Sequence, residues 1–496
     1  MTTLEERTAA AVEDHPHLIG GEFRPARSGE WLDSVNPATG AVWARIPAGD
    51  AGDVDDAVRA AAAAQPAWAA RPAMERAVVL RRYAQVVREH AEELWRLDAT
   101  DNGRAATEAR PAVLGGSMQV EFLAGLAETV TGQTVSVRSD ALTYAAREPY
   151  GVVGVIIPWN APLAMFLAKA TAALAAGNAV VVKPPEVASV SILAAARLLA
   201  DAGVPDGLVN IVCGEGRTAG EALVDHPGVA KISFTGSTAT GRRITQRSVV
   251  NLKALGLELG GKSPNIVFAD ADLEAAAAGV SAGIYTGSAG QACIAGSRIL
   301  VQRDIYPRFL EALREKAAAI RLGDPLDPGT TMGPLAFDGQ YAKVRGYLES
   351  APREGAETVF GGRAADELFP ADSPLRAGYF VEPTLFAVPH NGLGVCQEEI
   401  FGPVATVQAF DTEEEAVAIA NDTVYGLAAG LWTSDLSRAH RLAARLQAGS
   451  VWVNTYRAMH WAVPFGGQKQ SGNRPSNGPD ALDEWLEHKT VWIQHG

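Results

Sequence analysis

Short apolar segments alternate with alanine-rich segments from about residue 150 onward, and this alternation constrains the fold more than any other feature of the sequence. Segments 151–158 (GVVGVIIP) and 178–183 (NAVVVK) are rich in β-branched residues, which is typical of buried strands. Segment 163–176 between them is rich in Ala and Leu and ends at Gly177, which predicts a helix with a glycine stop. Strands and helices in alternation predict a parallel sheet with helices on both faces.

The same pattern continues almost to the C-terminus and predicts two α/β bodies, so the predicted fold class is α/β. Two amphipathic helices are predicted before it, at 54–70 and 74–98. The later elements are predicted strands at 208–212, 231–234, 265–268, 298–302, 403–410 and 450–454, and predicted helices at 189–202, 305–320 and 413–420.

Two β-prone segments fall outside this alternation. Segment 129–145 is isolated between helical segments, and segment 489–494 (KTVWIQ) lies at the C-terminus. An open strand edge tends to pair with another strand or another subunit. We therefore expect a contact with a second copy of the chain; two edge strands on a monomer are the alternative.

Charge and cysteine content exclude several classes of protein. The chain of 496 residues has a net charge of −14 and no long basic stretch, which argues against nucleic acid or an anionic membrane surface as main partner. The first twenty residues are acidic and lack the apolar segment of a signal peptide. Three cysteines cannot form a disulfide framework and fit a reducing compartment, so we expect a cytoplasmic location.

Two glycine-rich motifs resemble nucleotide-binding loops. Segment 256–263 (GLELGGKS) matches the phosphate loop of nucleotide hydrolases, but that loop must lead into a helix, whereas Pro264 and a strand follow here. Segment 214–219 (GEGRTA) matches a dinucleotide-binding pattern, yet no acidic residue follows a second strand at the required distance. We expect a structural turn there, rather than a pyrophosphate site.

Cys293 is the predicted nucleophile because glycines and other small residues surround it on a predicted loop and leave its sulfur accessible. Cys213 and Cys396 lie among apolar residues and are predicted to be inert. The nine histidines form no motif, so no metal is expected, and the base must be a carboxylate. Glu258 suits that role, because its apolar neighbours would raise its pKa and two glycines follow closely.

At this point the chain resembles the aldehyde dehydrogenase superfamily, in its hydrolytic, NAD(P)-dependent branch. The matching motifs occur in the family's order and span almost the whole chain: IGGEF (19–23), NPATG (36–40), IIPWNAPL (156–163), VVKPPE (181–186), FTGST (234–238), ELGGKSP (258–264), GQACIAGSR (290–298), EEIFGPV (398–404), VNT (453–455) and PFGGQKQSG (464–472).

The resemblance implies three parts and a dimer or tetramer. These are a Rossmann-like NAD-binding domain (1–125 and 147–260), an α/β catalytic domain (261–460) and a small β oligomerisation arm (126–146 and 480–496).

The resemblance also implies the chemistry of the site. Cys293 attacks the aldehyde, the Asn160 amide and the Cys293 N–H hold the oxyanion, and Glu258 activates the water that releases the acid. Lys169 belongs to a proton path, and Glu258 favours hydrolysis over transfer to coenzyme A.

The resemblance further implies NAD as cofactor, with NADP possible. Glu186, beside Lys183, would bind both ribose hydroxyls and repel a 2′-phosphate. Gly236 and Ser237 would hold the pyrophosphate at a helix start. Glu399 would bind the nicotinamide ribose, and Phe401 would pack beside it. The remaining predicted cofactor-binding residues are Ile156 and Trp159.

The departures from the family pattern concern the substrate and the tail. Ala161 and Ala168 stand where aromatic residues are usual, which predicts a roomy pocket completed by Ile294, Met459, Trp461 and Phe465. We expect a bulky apolar aldehyde, aromatic or terpenoid-like. Arg457 is the one candidate partner for a carboxylate, which leaves a semialdehyde dehydrogenase as an alternative; a cofactor-independent cysteine esterase is another. Residues 473–476 (NRPS) lack the glutamate that can share the proton path with Lys169.

Overall fold

The computed structural model describes residues 12–495. The prediction about a signal peptide concerns mostly residues 1–11 and lies outside the described residues, as does the last residue of the predicted arm. Within the described part the strands are β1 (Glu13–Asp14), β2 (His17–Ile19), β3 (Glu22–Arg24), β4 (Trp31–Asn36), β5 (Ala41–Pro47), β6 (Gln133–Thr134), β7 (Ala141–Pro149), β8 (Val152–Ile156), β9 (Ala179–Lys183), β10 (Val209–Ile211), β11 (Lys231–Thr235), β12 (Ala254–Glu258), β13 (Pro264–Val267), β14 (Arg298–Gln302), β15 (Glu357–Phe360), β16 (Thr384–Ala387), β17 (Val404–Phe410), β18 (Tyr425–Gly426), β19 (Ala428–Trp432), β20 (Ser450–Val453), β21 (Gln468–Lys469) and β22 (Leu486–Gln494).

The α-helices lie mostly between these strands, as the alternating pattern predicts. They are α1 (Ala51–Ala69), α2 (Ala73–Glu89), α3 (Ala91–Asn102), α4 (Ala106–Leu126), α5 (Pro162–Ala175), α6 (Val190–Arg197), α7 (Glu221–Asp225), α8 (Thr238–Arg247), α9 (Leu273–Ser281), α10 (Tyr306–Ala318), α11 (Asp338–Arg353), α12 (Ala365–Leu368), α13 (Gly394–Gln397), α14 (Glu413–Asn421) and α15 (Leu436–Ala443).

The first large sheet has the strand order β12-β11-β8-β9-β10-β2-β3. Strands β12 to β10 run parallel, and β2 and β3 add an antiparallel edge. Val180, Val181 and Val182 of β9 are fully buried, as expected for a strand with both faces covered. Because parallel strands end at one edge, the carboxyl ends of β8, β9, β11 and β12 lie together, where open α/β sheets bind ligands.

The second large sheet has the order β15-β16-β17-β14-β13-β19-β20 and is parallel except for β15. Its core is separate from the core of the first sheet. The loop 259–263 connects β12 of the first sheet directly to β13 of the second. Segment 256–263 thus joins two strands and opens no helix, in agreement with our rejection of a hydrolase phosphate loop.

Two predicted helices are shorter in the structure. Segment 74–98 is interrupted at His90, which has φ −100 and ψ 14 and separates α2 from α3. Helix α6 ends at Arg197, before the predicted end at 202, because the next residues bond mainly to the third residue back and form turns. Sequence periodicity continues through both breaks, so it could not locate them.

The predicted β-prone segments do pair, and they pair with each other. Strand β22 runs antiparallel to β7 along its whole length, from Leu486 opposite Pro149 to Gln494 opposite Ala141. Strand β6 pairs with the other edge of β7. Strand β7 extends three residues past the predicted arm boundary at 146; the domain boundaries as a whole stay a prediction.

No helix within residues 12–495 combines the length and the apolar composition that crossing a bilayer requires.

Candidate active site

Cys293 lies in a tightly held loop before β14. Three consecutive residues of this loop, Ser288, Ala289 and Gly290, have φ values of 52, 52 and 75, a conformation that non-glycine residues rarely adopt. Glu108 of α4 fixes the loop by accepting hydrogen bonds from the Ser288 N–H at 2.9 Å and hydroxyl at 3.3 Å. The nucleophile is therefore held by a neighbouring helix.

The glycines after Glu258 bring the end of β12 against this loop. A Cβ built on Gly261 would lie 2.2 Å from the Cys293 carbonyl oxygen, so only a glycine fits there. The pKa of the Cys293 thiol is raised to about 12, mainly by burial and also by the nearby carboxylates of Glu399 and Glu258, while the Ile294 N–H and Arg457 oppose the shift. A thiol with this pKa needs a base to become a nucleophile.

Glu258 has the properties of such a base. It is 6% exposed at the end of β12. Burial raises its pKa to about 8, while Lys169 opposes the shift and Glu484 adds to it. One carboxylate oxygen accepts a hydrogen bond from the Ser476 hydroxyl at 3.1 Å, and the other has no partner in the structure. That second oxygen can take a proton from water or from a thiol.

Asn160 lies between β8 and α5, where Pro162 begins the helix. Its Nδ2 donates a hydrogen bond to the Gln291 carbonyl oxygen at 2.7 Å, two residues before Cys293. The Gln291 side chain in turn accepts from the Ala336 N–H at 2.9 Å. The Asn160 amide is thus fixed beside the cysteine loop, and its second N–H stays available to another acceptor.

Lys169, on α5, reaches the divergent tail. Its Nζ donates to the Ser476 hydroxyl at 2.7 Å and lies 3.3 Å from a carboxylate oxygen of Glu484. The tail runs along β12, since Asn473 accepts a hydrogen bond from the Leu257 N–H at 2.9 Å. Sequence analysis missed Ser476 and Glu484; the available signals were the polar residue where the family's acid is missing and an acid beside Trp485 in an apolar segment.

A cavity of about 420 Å³ lies at the carboxyl edge of the first sheet. Glu186 borders it and forms an ion pair of 2.6 Å with Lys183. Burial raises the pKa of Glu186, but Lys183 and the Gly216 N–H more than offset this and lower it overall. The cavity is lined by Ile156, Glu186, Glu215, Gly216, Arg217, Gly220, Glu221, Val224, Phe234, Thr240, Arg243, Ile244 and Arg247.

The composition of this cavity fits a dinucleotide. Ile156, Val224 and Ile244 offer apolar walls for a base, and the Glu186 carboxylate faces the same space as an acceptor for hydroxyls. The turn at 214–219, which we expected to be only structural, lines this cavity as well. The motif lacks its own acidic residue, so the sequence gave no sign of this role. In the structure Glu186, from the segment after β9, lies beside Gly216.

The turn at Gly236 and Ser237 differs in part from expectation. The Gly236 N–H donates to the Glu258 carbonyl oxygen at 3.0 Å, so this amide is already engaged. Ser237 caps α8 by accepting from the Thr240 N–H at 3.2 Å. The turn therefore links the start of α8 to the strand that carries the base.

Glu399, Phe401 and Trp159 gather on the other side of the glycine pair. A Glu399 carboxylate oxygen accepts from the Gly261 N–H at 2.8 Å, and burial raises its pKa. Phe401 has a φ of 61, and its ring packs edge-on to Trp159 with centroids 5.1 Å apart. The residues predicted to bind the nicotinamide ribose are thus adjacent to the segment that approaches Cys293.

The predicted substrate pocket is only partly brought together. Ile294 is 4% exposed and packs with Leu427, Ala428 and Trp452, so its side chain lies in the core. Phe465 and Cys293 pack against this group. Ala161 and Ala168 are partly exposed near Asn160 and Lys169, and Trp461 is partly exposed. Met459 and Phe465 border a cavity of about 530 Å³.

Cys213 and Cys396 were predicted to be inert, and no bound metal was expected. Cys213 and Cys396 are buried and unpaired, and burial raises the pKa of both thiols. Within residues 12–495, no group of three or more His, Cys, Asp or Glu side chains is arranged to hold a metal ion.

Comparison with known proteins assigns the family. Residues 23–491 match the model of the aldehyde dehydrogenase family. The chain belongs to this family, and it is an enzyme that oxidises aldehydes. The predicted resemblance and α/β fold class are thereby confirmed.

Solved structures of relatives agree over almost the whole chain. PnpE from Pseudomonas sp. WBC-3, solved alone and in complex with nicotinamide adenine dinucleotide, is 43% identical with a TM-score of 0.94; the match covers 97% of this chain and 98% of that one. An aldehyde dehydrogenase from Bacillus cereus with NAD+ is 41% identical, with a TM-score of 0.93 and coverages of 99% and 98%. The indole-3-acetaldehyde dehydrogenase AldA of P. syringae, with NAD+ and IAA, is 39% identical, with a TM-score of 0.94 and coverages of 99% and 98%.

Proposed function

We propose that the chain oxidises an aldehyde to the carboxylic acid with NAD, through a thioester on Cys293 that water hydrolyses. The observation that carries the proposal is the meeting of three elements at one point. Gly261 at the end of the Glu258–Gly261 segment lies against the Cys293 carbonyl, and the Asn160 amide donates to Gln291, two residues before Cys293. Together they supply a nucleophile, a base and a neutral hydrogen-bond donor.

In the first half of the reaction the Cys293 sulfur bonds to the carbonyl carbon of the aldehyde, after Glu258 has taken the thiol proton. The free N–H of Asn160 and the Cys293 N–H stabilise the charge that develops on the carbonyl oxygen. NAD, bound across Glu186 and Glu399, supplies the hydride acceptor. Loss of hydride leaves the acyl group joined to Cys293.

In the second half a water molecule attacks the acyl carbon while Glu258 accepts a proton from it. The carbon–sulfur bond breaks, the acid leaves, and Cys293 is free again. Burial of Glu258 suits both proton transfers, because a pKa of about 8 lets it accept and release a proton near neutral pH. Relatives solved with NAD+ support NAD as the cofactor.

The substrate is a bulky apolar aldehyde, aromatic or terpenoid-like. Ala161 and Ala168 leave space beside the catalytic groups, and Phe465 and Trp452 provide apolar surface. A relative that is 39% identical acts on indole-3-acetaldehyde, which is a bulky aromatic aldehyde.

A semialdehyde that carries a carboxylate is the second candidate, and Arg457 favours it. The guanidinium of Arg457 fills the space over Gly287, where a Cβ would lie 1.1 Å from Nη1. Its charge acts on both Cys293 and Glu108. Among the described residues it makes no hydrogen bond or salt bridge, so an anionic group of a substrate can become its partner.

The first experiment measures NADH absorbance with purified protein and a panel of aromatic, long-chain, short-chain and carboxylated aldehydes. NADH that forms with wild type and vanishes with Cys293→Ala supports the chemistry. Repeating the panel with Arg457→Met and Arg457→Lys separates the two substrate classes. A preference for acetaldehyde would reject the apolar substrate. So would a preference for a carboxylated aldehyde, if KM for that aldehyde rises about tenfold in Arg457→Met but not in Arg457→Lys.

The arm points to a homodimer or homotetramer. Its strands β7 and β22, and the segment before β7, expose apolar side chains: Val135, Val137, Leu142, Trp492 and Ile493 are 43% to 55% exposed. Exposed apolar residues on an open sheet favour association. Light scattering after gel filtration should give a multiple of the chain mass, and Trp492→Asp should lower it; a wild-type monomer would reject this part.

A further inference from the structure

A group of buried charged side chains lies behind Glu258, with Glu484 at its centre. Glu484 is 5% exposed, in the short turn Asp483–Trp485 that precedes β22. One of its carboxylate oxygens lies 3.3 Å from the Lys169 Nζ, and the other lies 3.7 Å from the Lys231 Nζ. The second oxygen also accepts a hydrogen bond from Ser233 at 3.2 Å. We call Lys169, Lys231, Ser233, Ser476 and Glu484 the Glu484 cluster.

The first sheet has a space made for this carboxylate. Strands β11 and β12 place Ser233 opposite Gly256 and Thr235 opposite Glu258. A Cβ on Gly256 would lie 2.0 Å from a carboxylate oxygen of Glu484, so the acid occupies the place where another residue would have a side chain. Glu484 is therefore fixed two positions along β12 from the catalytic base.

Two consecutive hydrogen bonds lead from Lys169 through Ser476 to Glu258. The Lys169 Nζ donates to the Ser476 hydroxyl at 2.7 Å, and the Ser476 hydroxyl donates to Glu258 at 3.1 Å. Ser476 is itself held by its backbone, since its carbonyl oxygen accepts from the Phe465 N–H at 2.7 Å. These two hydrogen bonds fix the orientation of the Glu258 carboxylate.

Glu484 supplies the negative charge that faces the two buried lysines of the cluster. Lys231 is fully buried, its Nζ has no hydrogen-bond partner, and it lies over the rings of Tyr150 and Trp485. Burial lowers the pKa of Lys231 to about 8, and Glu484 opposes that shift. Burial raises the pKa of Glu484, but Lys169 and Lys231 more than offset this, so Glu484 is a carboxylate.

We propose that Glu484 is a positioning residue for the hydrolytic base. It holds the Lys169 ammonium against Ser476, whose hydroxyl orients Glu258, and its negative charge offsets part of the positive charge of the two buried lysines. The inference rests on the proposed function, because it requires Glu258 to act as the base. The other titratable groups that face this region are the Cys293 thiol and the exposed Arg474, which acts on Lys231.

Two variants should shift the pH dependence of turnover in opposite directions. In Glu484→Gln the Lys169 charge has lost its partner and favours ionised Glu258, so the acid limb of kcat should move down by about one pH unit. In Ser476→Ala the Glu258 carboxylate loses a hydrogen bond to its charged form, so the limb should move up. Ser476→Thr keeps the hydroxyl and should restore the wild-type profile.

The controls separate this role from a structural one. Glu311→Gln makes the same change of charge at an exposed position of α10, outside the arm, and should leave the profile unchanged. If Glu484→Gln does not fold, the double variant Glu484→Gln, Lys231→Met removes the second unbalanced lysine as well and should still show the downward shift. Thermal unfolding of each variant reports on the fold.

The outcomes distinguish a failure of this inference from a failure of the proposed function. Opposite shifts of the acid limb of kcat, in variants that unfold at the wild-type temperature, support the inference. Folded variants with no shift, or with a loss of activity that is equal at every pH, overturn it. A wild-type enzyme that forms no NADH from any aldehyde overturns the proposed function, and the inference with it.

Discussion

Gly261→Ala is the change that most directly tests the contact between the base segment and the nucleophile loop. The added Cβ would lie 2.2 Å from the Cys293 carbonyl oxygen, and these atoms must separate to at least 3.0 Å, a displacement of about 0.8 Å. The obstacle is backbone, so the displacement moves the reacting groups. A misplacement of about 1 Å costs roughly 10²-fold in rate, or about 2.7 kcal/mol.

Two matched glycine variants make the prediction quantitative. Gly346→Ala in α11 adds a Cβ with no heavy atom within 4 Å, so activity should be unchanged, and stability should rise by about 0.5–1 kcal/mol. Gly260→Ala meets a Glu399 carboxylate oxygen at 2.5 Å, and this side-chain end can move. Its effect on kcat should be smaller than that of Gly261→Ala, with a larger effect on KM for NAD.

The assay is steady-state NADH formation with the best aldehyde of the panel, together with thermal unfolding of all three variants. The expected order of activity is Gly346→Ala, then Gly260→Ala, then Gly261→Ala. A folded Gly261→Ala enzyme that retains activity within about threefold of wild type would refute the reasoning, because a loss of about 10²-fold is expected from the displacement.

Three further predictions concern single groups. Asn160→Ala should lower kcat by about 10²–10³-fold with little change in KM for NAD, because one oxyanion donor is lost; an unchanged kcat contradicts this. Turnover should rise with pH through about 8, since Glu258 must lose its proton to act as a base, and Glu258→Gln should remove this limb; a flat profile for wild type argues against Glu258. Glu186→Gln should improve kcat/KM for NADP relative to NAD by about tenfold, because the 2′-phosphate is no longer repelled; an unchanged ratio refutes the role of Glu186.

The cofactor residues show how far a motif can be read. Lys183 and Glu186 lie in one short segment, and the structure pairs them at 2.6 Å beside the expected cavity. The turn at Gly216 comes from another strand, and its motif lacks the acid that normally identifies it. Glu186, which follows the neighbouring strand β9, lies beside Gly216 instead of such an acid. The pattern at 214–219 cannot reveal this contact.

The substrate residues show a limit of the same kind. Ile294 follows Cys293 directly, but the loop turns its side chain into the core with Leu427 and Trp452. Neighbours in sequence share a motif, although they need not face the same space. The apolar substrate, the cytoplasmic location and the subunit contact accordingly stay predictions.

The sequence alone determined the alternating α/β fold, the family and the pairing tendency of the two β-prone segments, and it singled out Cys293, Glu258 and Asn160 as candidates. These properties depend on local periodicity and short motifs, which act over a few residues. The tertiary structure decided what surrounds each group: the Gly261 contact, the placement of Arg457 near Cys293, and the Glu484 cluster. Ser476 and Glu484 lie more than 200 positions from Glu258 along the chain, and the sheet and the returning tail bring them to it. The pKa values of the site depend on burial and on nearby charges, and both come from residues that are distant in sequence. The sequence can therefore name the residues of the site but not their pKa values.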